Sequence, residues 1–140
     1  ESVLKYQDKK TGVWYDVMAV KDPRNYLEST ASSMFTYVLL KGYRKGYLSE
    51  KFRDAGVKAY NGIIKEFIKV NPDKTISLTR CCEVSGLGPG PGPYVKKPNF
   101  KRDGSFEYYI SEPIRDNDAK GVGPFIWASL EMEQQGLAVK

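Results

Sequence analysis

Residues 25–44 read Asn-Tyr-Leu-Glu-Ser-Thr-Ala-Ser-Ser-Met-Phe-Thr-Tyr-Val-Leu-Leu-Lys-Gly-Tyr-Arg, a stretch that opens with small polar residues and a carboxylate and then turns apolar on every face. A helix of that kind is buried all round and needs partners on each side. The pattern predicts a helix from about Ser29 to Arg44, with Gly42 and Gly46 marking its end. Its polar entrance has two readings. Glu28 and the hydroxyls behind it satisfy the free N–H groups of the first turn, where the helix dipole favours a carboxylate, or they form the wall of a site.

The next pattern differs in kind. After Tyr47-Leu48, Ser49 is a good N-cap for a helix from Glu50 to Val70 in which Phe52, Gly56, Ala59, Ile63 and Phe67 form one stripe, while Lys51, Arg53, Asp54, Lys58, Lys65, Glu66 and Lys69 fall mostly on the other side. A helix apolar all round, a short turn and a one-sided helix are the pattern of an inner and an outer helix in a layered helical toroid. The design repeats near the end: Asp116 to Pro124 leads into a second mostly apolar helix, Pro124 to about Gln135, with Pro in the first turn and Gly136 able to end it.

Between these lie shorter elements. Val3 to Asp8 reads as a last helical turn ended by Lys9 to Gly12, Val13 to Met18 has strand-like composition, and Lys21 to Arg24 is a turn. Asn71-Pro72-Asp73-Lys74 stops the outer helix. Thr75 to Thr79 alternates as a strand, and Phe106 to Ile110 is expected to pair with it as a small antiparallel ribbon. The Gly-Pro run from Gly86 to Tyr94 can form neither helix nor central strand, so it is a spacer or a loop at the mouth of a cleft.

Composition narrows the chemistry. A net charge of +5 favours anionic partners, yet the bases are dispersed, so nucleic acid is not expected as a partner. With no His in the chain, the commonest metal ligand and the commonest base near neutrality are both missing, and neither a metal nor a cofactor is expected. Cys81 and Cys82 are adjacent and read as two buried thiols. The longest apolar run, Val38-Leu39-Leu40, is cut by Lys41, far short of a bilayer span, and no membrane partner is expected. The chain opens Glu1-Ser2-Val3 and reads as a piece of something longer.

Several short motifs, in order, carry a resemblance: Gly12-Val13-Trp14-Tyr15; Asn25 to Ser29 with Ser33-Met34-Phe35; Lys41-Gly42 with Arg44 to Tyr47; Gly86-Leu87-Gly88; Asp103-Gly104-Ser105 with Tyr108-Tyr109; and Asn117-Asp118 with Lys120 to Phe125. The chain resembles the C-terminal part of the unsaturated rhamnogalacturonyl hydrolases, glycoside hydrolase family 105, related to the family 88 unsaturated glucuronyl hydrolases. The resemblance implies a mainly α fold, a partial (α/α)6 barrel of inner and outer helices with a small antiparallel β-ribbon, residues 1–140 forming one C-terminal segment. It also implies removal of a 4,5-unsaturated uronic acid from pectin-derived oligosaccharides by vinyl-ether hydration. The family's catalytic Asp and sugar-holding Trp and Arg lie upstream of Gly12, so no catalytic residue is assigned in this chain.

Carried over as residues lining or supporting the substrate cleft are Glu28, Ser29 and Ser32 at one inner-helix entrance and Lys120, Gly121 and Gly123 at the other. Lys120 could attract the substrate carboxylate, and the N–H groups around Gly121 to Gly123 suit an anion at a helix start. Trp14 and Tyr15 could stack on a sugar, although strand aromatics more often pack in a core, and Trp127 is expected to be packing. The expected partners are an unsaturated uronic-acid oligosaccharide and, to cover two oily helices, a missing N-terminal barrel half or a second copy. The competing reading is an inactive structural or carbohydrate-binding fragment that self-associates. The compartment stays open between bacterial cytoplasm and periplasm.

Overall fold

A computed structural model describes residues 1–88 and 102–137. The first long helix, α2 (Ser29–Arg44), follows a four-residue helix α1 (Ser2–Lys5) and an irregular segment. It ends in a Schellman arrangement: Gly46 takes a positive φ of 77°, Gly46 N–H donates to Tyr43 O at 2.8 Å and Tyr47 N–H to Gly42 O at 2.8 Å. A short turn then reverses the chain into α3 (Glu50–Phe67), whose expected stripe of Phe52, Gly56, Ala59, Ile63 and Phe67 is buried throughout. Ser49 precedes it as N-cap without a side-chain cap bond.

The outer helix stops three residues sooner than its pattern predicts. Ile68–Val70 form strand β1, paired antiparallel with β2 (Ile76–Leu78) through the Asn71 to Lys74 turn. Ile68 and Val70 are β-branched and favour that pleated pairing over another helical turn. The expected pairing of β2 with Phe106 to Ile110 is thus wrong. Phe106–Tyr109 is a single helical turn, α4, started by Ser105, whose Oγ accepts from Tyr108 N–H at 3.1 Å. A second two-stranded pair joins β3 (Cys81–Cys82) to β4 (Ile114–Arg115). Val13 to Met18 forms no strand, only an isolated bridge of Tyr15 to Leu27. Of the Gly-Pro run, residues 89–94 lie outside the described residues.

Helix α5 (Ala119–Gln134) begins five residues before the expected start, with Asp118 as N-cap and Pro124 inside the helix. It ends as α2 does, in a Schellman arrangement: Gly136 N–H donates to Glu133 O and Leu137 N–H to Met132 O, both at 3.0 Å. Thr30 lies against Gly121, Tyr37 against Trp127, Gln135 against Leu40 and Arg44 against Glu131. This order means that α2 and α5 run side by side in the same direction, with α3 antiparallel to them. That alternation is the arrangement of two neighbouring inner helices and one outer helix in a helical ring.

The core fills the space these helices enclose with residues 13 and 14: Trp14, Leu40, Ile63, Phe67 and Ala128 are essentially inaccessible. The inner helices are not buried all round. On α2 the buried face of the first half is hydroxylic, with Ser33 Oγ donating to Ser29 O and Thr36 Oγ1 to Ser32 O, each at 2.7 Å. The open face is apolar: Val38 is 57% exposed, Ile126 51%, Trp127 54% and Leu130 46%. Trp127, expected to be packing, meets Tyr37 at 5.4 Å between ring centroids and otherwise stands at this open seam.

Gly62 tests the inner packing. A Cβ there would lie 2.1 Å from Thr11 O, a backbone atom that cannot swing away. Gly→Ala inside a helix ordinarily gains about 1 kcal/mol, but Gly62→Ala is expected to cost about 1–3 kcal/mol by overpacking. Lys65→Ala on the solvent side should stay within about 0.5 kcal/mol. Denaturant midpoints of the two variants check the contrast.

Candidate functional site

The parallel course of α2 and α5 brings their N-termini together at one end, where both polar entrances singled out in the sequence lie. Glu28 is 2% exposed. Its Oε1 accepts from Thr30 N–H at 2.8 Å and Cys82 N–H at 2.9 Å, and its Oε2 from Ala31 N–H at 2.6 Å. One carboxylate therefore caps α2 and fastens β3 to it, and charge-assisted bonds of this kind are the stronger class. Glu28 N–H donates to Trp14 O at 2.9 Å, and Trp14 N–H donates to Ser32 Oγ at 3.0 Å. Ser29 Oγ donates to Cys81 Sγ at 3.2 Å. So Glu28, Ser29 and Ser32 meet in one buried network and hold the entrance together, the capping role being the one the geometry displays. Cys81 and Cys82 are buried free thiols.

The second entrance is built on Asn117 and Asp118. Asn117 exchanges backbone and side-chain bonds with Leu78, and Asp118 caps α5. Because the helix begins at Ala119, the N–H groups of Gly121 and Val122 are already spent on Asp118 O, both at 2.9 Å, and Lys120 N–H on Asp118 Oδ1 at 2.9 Å. The open anion cradle expected there is thus closed from within. Gly121 is buried, and a Cβ on it would lie 2.7 Å from Cys81 Sγ and 3.0 Å from Thr30 Oγ1, so its bareness sets the approach of α5 to α2. Gly123 has open space where a Cβ would be. Lys120 is exposed, its ammonium 2.7 Å from Asp118 Oδ1.

Sequence reading gave Asp16 no role, yet it sits beside Glu28. The bridge of Tyr15 to Leu27 and the bond from Asp16 N–H to Tyr26 O at 2.9 Å bring Asp16, Tyr26, Glu28 and Cys82 into one cluster. Burial, and then the Glu28 charge, push the Asp16 carboxyl from 3.8 up to about 6. Burial and the Asp16 charge likewise push the Tyr26 hydroxyl up. Asp16 therefore keeps its proton to a higher pH than an ordinary carboxyl does. No local pattern could have revealed it, since its neighbours come from segments paired only in the fold. Among the described residues no group of His, Cys, Asp and Glu side chains could hold a metal ion.

The model described as glycosyl hydrolase family 88 matches residues 1–135. The chain belongs to glycosyl hydrolase family 88. It is 34% identical over 127 residues to the protein Atu3128 of Agrobacterium fabrum, covering 87% of this chain and 52% of that protein. The same figures, 34% over 127 residues with 87% and 52% covered, hold for a 24.9 kDa protein in the picA locus of Rhizobium radiobacter. Among solved structures, a family 105 glycoside hydrolase of C. acetobutylicum superimposes with a TM-score of 0.83 at 47% identity, over 95% of this chain and 35% of that one. A possible family 105 member from Salmonella enterica, 24% identical with a TM-score of 0.69 over 95% and 29%, shares the fold.

This family 88 chain thus spans about half the length of the curated relatives it matches (52%) and about a third of the solved glycoside hydrolase (35%). It is mainly α, an arc of the helical barrel of those enzymes, with two small antiparallel pairs at its edge.

Two substitutions probe the entrance. Glu28→Gln removes the charge and turns an NH2 toward backbone N–H donors, so a stability loss of about 1–3 kcal/mol is expected in denaturant titrations. For Asp16, the unfolded chain releases the proton from about 3.8 upward and the folded chain only near 6. The folded state holds more protons in that window, so stability falls as pH rises through it, and the penalty is complete above about 6. Asp16→Asn is expected to flatten that slope and to raise the denaturation midpoint above about pH 6, leaving it nearly unchanged below about 3.8. A wild-type slope retained in the variant would assign the titration to another group.

Proposed function

We propose that the protein to which this chain contributes removes 4,5-unsaturated uronic acid from the non-reducing end of pectin-derived, rhamnogalacturonan-type oligosaccharides, and that the chain is a C-terminal segment of its barrel. The observation that carries this reading is the match to family 88 over residues 1–135, together with two parallel inner-helix entrances converging at one end. In the proposed reaction a carboxylic acid protonates C4 of the vinyl ether and water adds at C5. The resulting hemiketal opens and expels the neighbouring sugar. The step calls for a placed proton donor rather than a nucleophile.

That donor belongs, on this reading, to the part of the ring the chain does not span. The chain contributes a wall. Glu28, Ser29 and Ser32 fix the α2 entrance from behind, and Gly121 lets α5 close against it. Gly123 leaves room at the second entrance, and Lys120 exchanges its bond to Asp118 for the substrate carboxylate. Neither metal nor cofactor enters the scheme.

A second reading, a catalytically inactive structural or carbohydrate-binding piece that self-associates, is favoured by the apolar seam at Val38, Ile126, Trp127 and Leu130. Supplying a lyase-generated unsaturated disaccharide and following the loss of ultraviolet absorbance at the double bond separates the two. Turnover is expected from a protein in which the ring is complete and none from residues 1–140 alone. No turnover by the complete protein would favour the second reading, and turnover by the isolated residues would refute the division of labour.

A further inference from the structure

A cavity of about 700 Å³ lies at the same end of the molecule as the two entrances, between residues 5–9 at and beyond the end of α1 and the loop from Tyr15 to Asn25. That volume is in the range of sites that enclose a small ligand. Tyr15 alternates with its neighbours along the extended segment: Trp14 is in the core and Asp16 is in the Glu28 cluster, while the Tyr15 side chain is 37% exposed at the cavity. Tyr6, 43% exposed, lines the same cavity. The loop wall is fixed by buried Asn25, whose Nδ2 donates to Val17 O at 2.8 Å and Val20 O at 2.9 Å. The site is therefore built rather than a crease between loose segments.

Its charges are unequal in availability. Both carboxylates are occupied: Asp8 Oδ1 accepts from Thr11 N–H and Thr11 Oγ1 at 2.7 Å each, and Asp22 is bonded to the Arg24 guanidinium at 2.9 Å. The ammonium groups of Lys5, Lys9 and Lys21 pair with no carboxylate among the described residues. Two exposed phenol rings and three unspent cations are the combination that takes an anionic sugar, a ring face on the aromatics and a carboxylate on the ammoniums.

We propose that this cavity is a subsite for a uronate-containing oligosaccharide, holding sugar units beyond the one at the inner-helix entrance. The proposal rests on the carbohydrate reading given above and adds a subsite that favours longer acidic chains. An acidic peptide would use the same cations but leave the rings without stacking partners.

The test is calorimetric titration of the protein carrying this chain with a saturated tetragalacturonate, which needs no turnover. The same tetrasaccharide with its carboxyls reduced and a short polyglutamate serve as the other arms. Binding by the acidic sugar, weakened about tenfold in Lys9→Gln/Lys21→Gln and in Tyr15→Ser, with the reduced sugar much weaker, is expected. The altered side chains are exposed, and thermal melting of the variants checks that they fold. Equal binding by wild type and variants, equal binding of the reduced sugar, or binding of polyglutamate alone would overturn the proposal. If unsaturated disaccharide is turned over but the variants bind tetragalacturonate normally, the subsite fails and the activity stands. If the variants bind more weakly and no turnover occurs, the activity fails and the subsite stands.

Discussion

Two helices lying side by side in the same direction place like ends of their dipoles together, and that arrangement must be compensated. In this chain α2 and α5 are held so by three devices. Carboxylates stand at both positive ends, Glu28 on α2 and Asp118 on α5. Small residues, with Gly121 and Ala128 on α5 and Ser33 and Thr36 buried on α2, keep the seam narrow. At the far end Arg44 forks onto nearly buried Glu131 at 2.6 and 2.7 Å, holding that carboxyl below the usual carboxylate range. The antiparallel α3 then serves as the outer strut, packed on the inner pair through Ile63 and Tyr60.

Where local rules decide the outcome, the sequence was legible. The bounds Ser29 to Arg44 follow from the apolar run between Glu28 and Gly46, and the α3 stripe follows from its spacing. Where long-range pairing decides, it was not. Ile68 to Val70 continue a helical pattern until β2 folds back on them, and Phe106 to Ile110 alternate like a strand although Ser105 caps them into a turn of helix. Pro124 looked like a helix start because it lacks an N–H, whereas Asp118 nucleates the helix earlier and Pro124 forgoes only one bond within it. The candidate site shows the same division. A Glu before Ser-Thr reads as a cap, but the bond from Cys82, 54 residues away, exists only in the fold. Asp16 gains its raised pKa from the same pairing.

Both inner helices turn apolar side chains to solvent, and along the first half of α2 hydroxyls face inward, the reverse of an ordinary surface helix. That inversion suits neighbours in a ring that continues on the open side, and it matches a chain covering 35% of a solved family 105 enzyme. The barrel arc, the two entrances and the oily seam belong to one arrangement: two parallel inner helices with one antiparallel outer helix packed across them.

The sedimentation-equilibrium mass of the 140-residue chain, compared with Val38→Lys/Trp127→Lys, addresses this most directly. The wild-type chain is expected to be folded and heavier than a monomer at micromolar concentration, and the double variant to keep the same circular dichroism at a monomer mass. A wild-type chain that sediments as a well-behaved monomer with native helical content would contradict it.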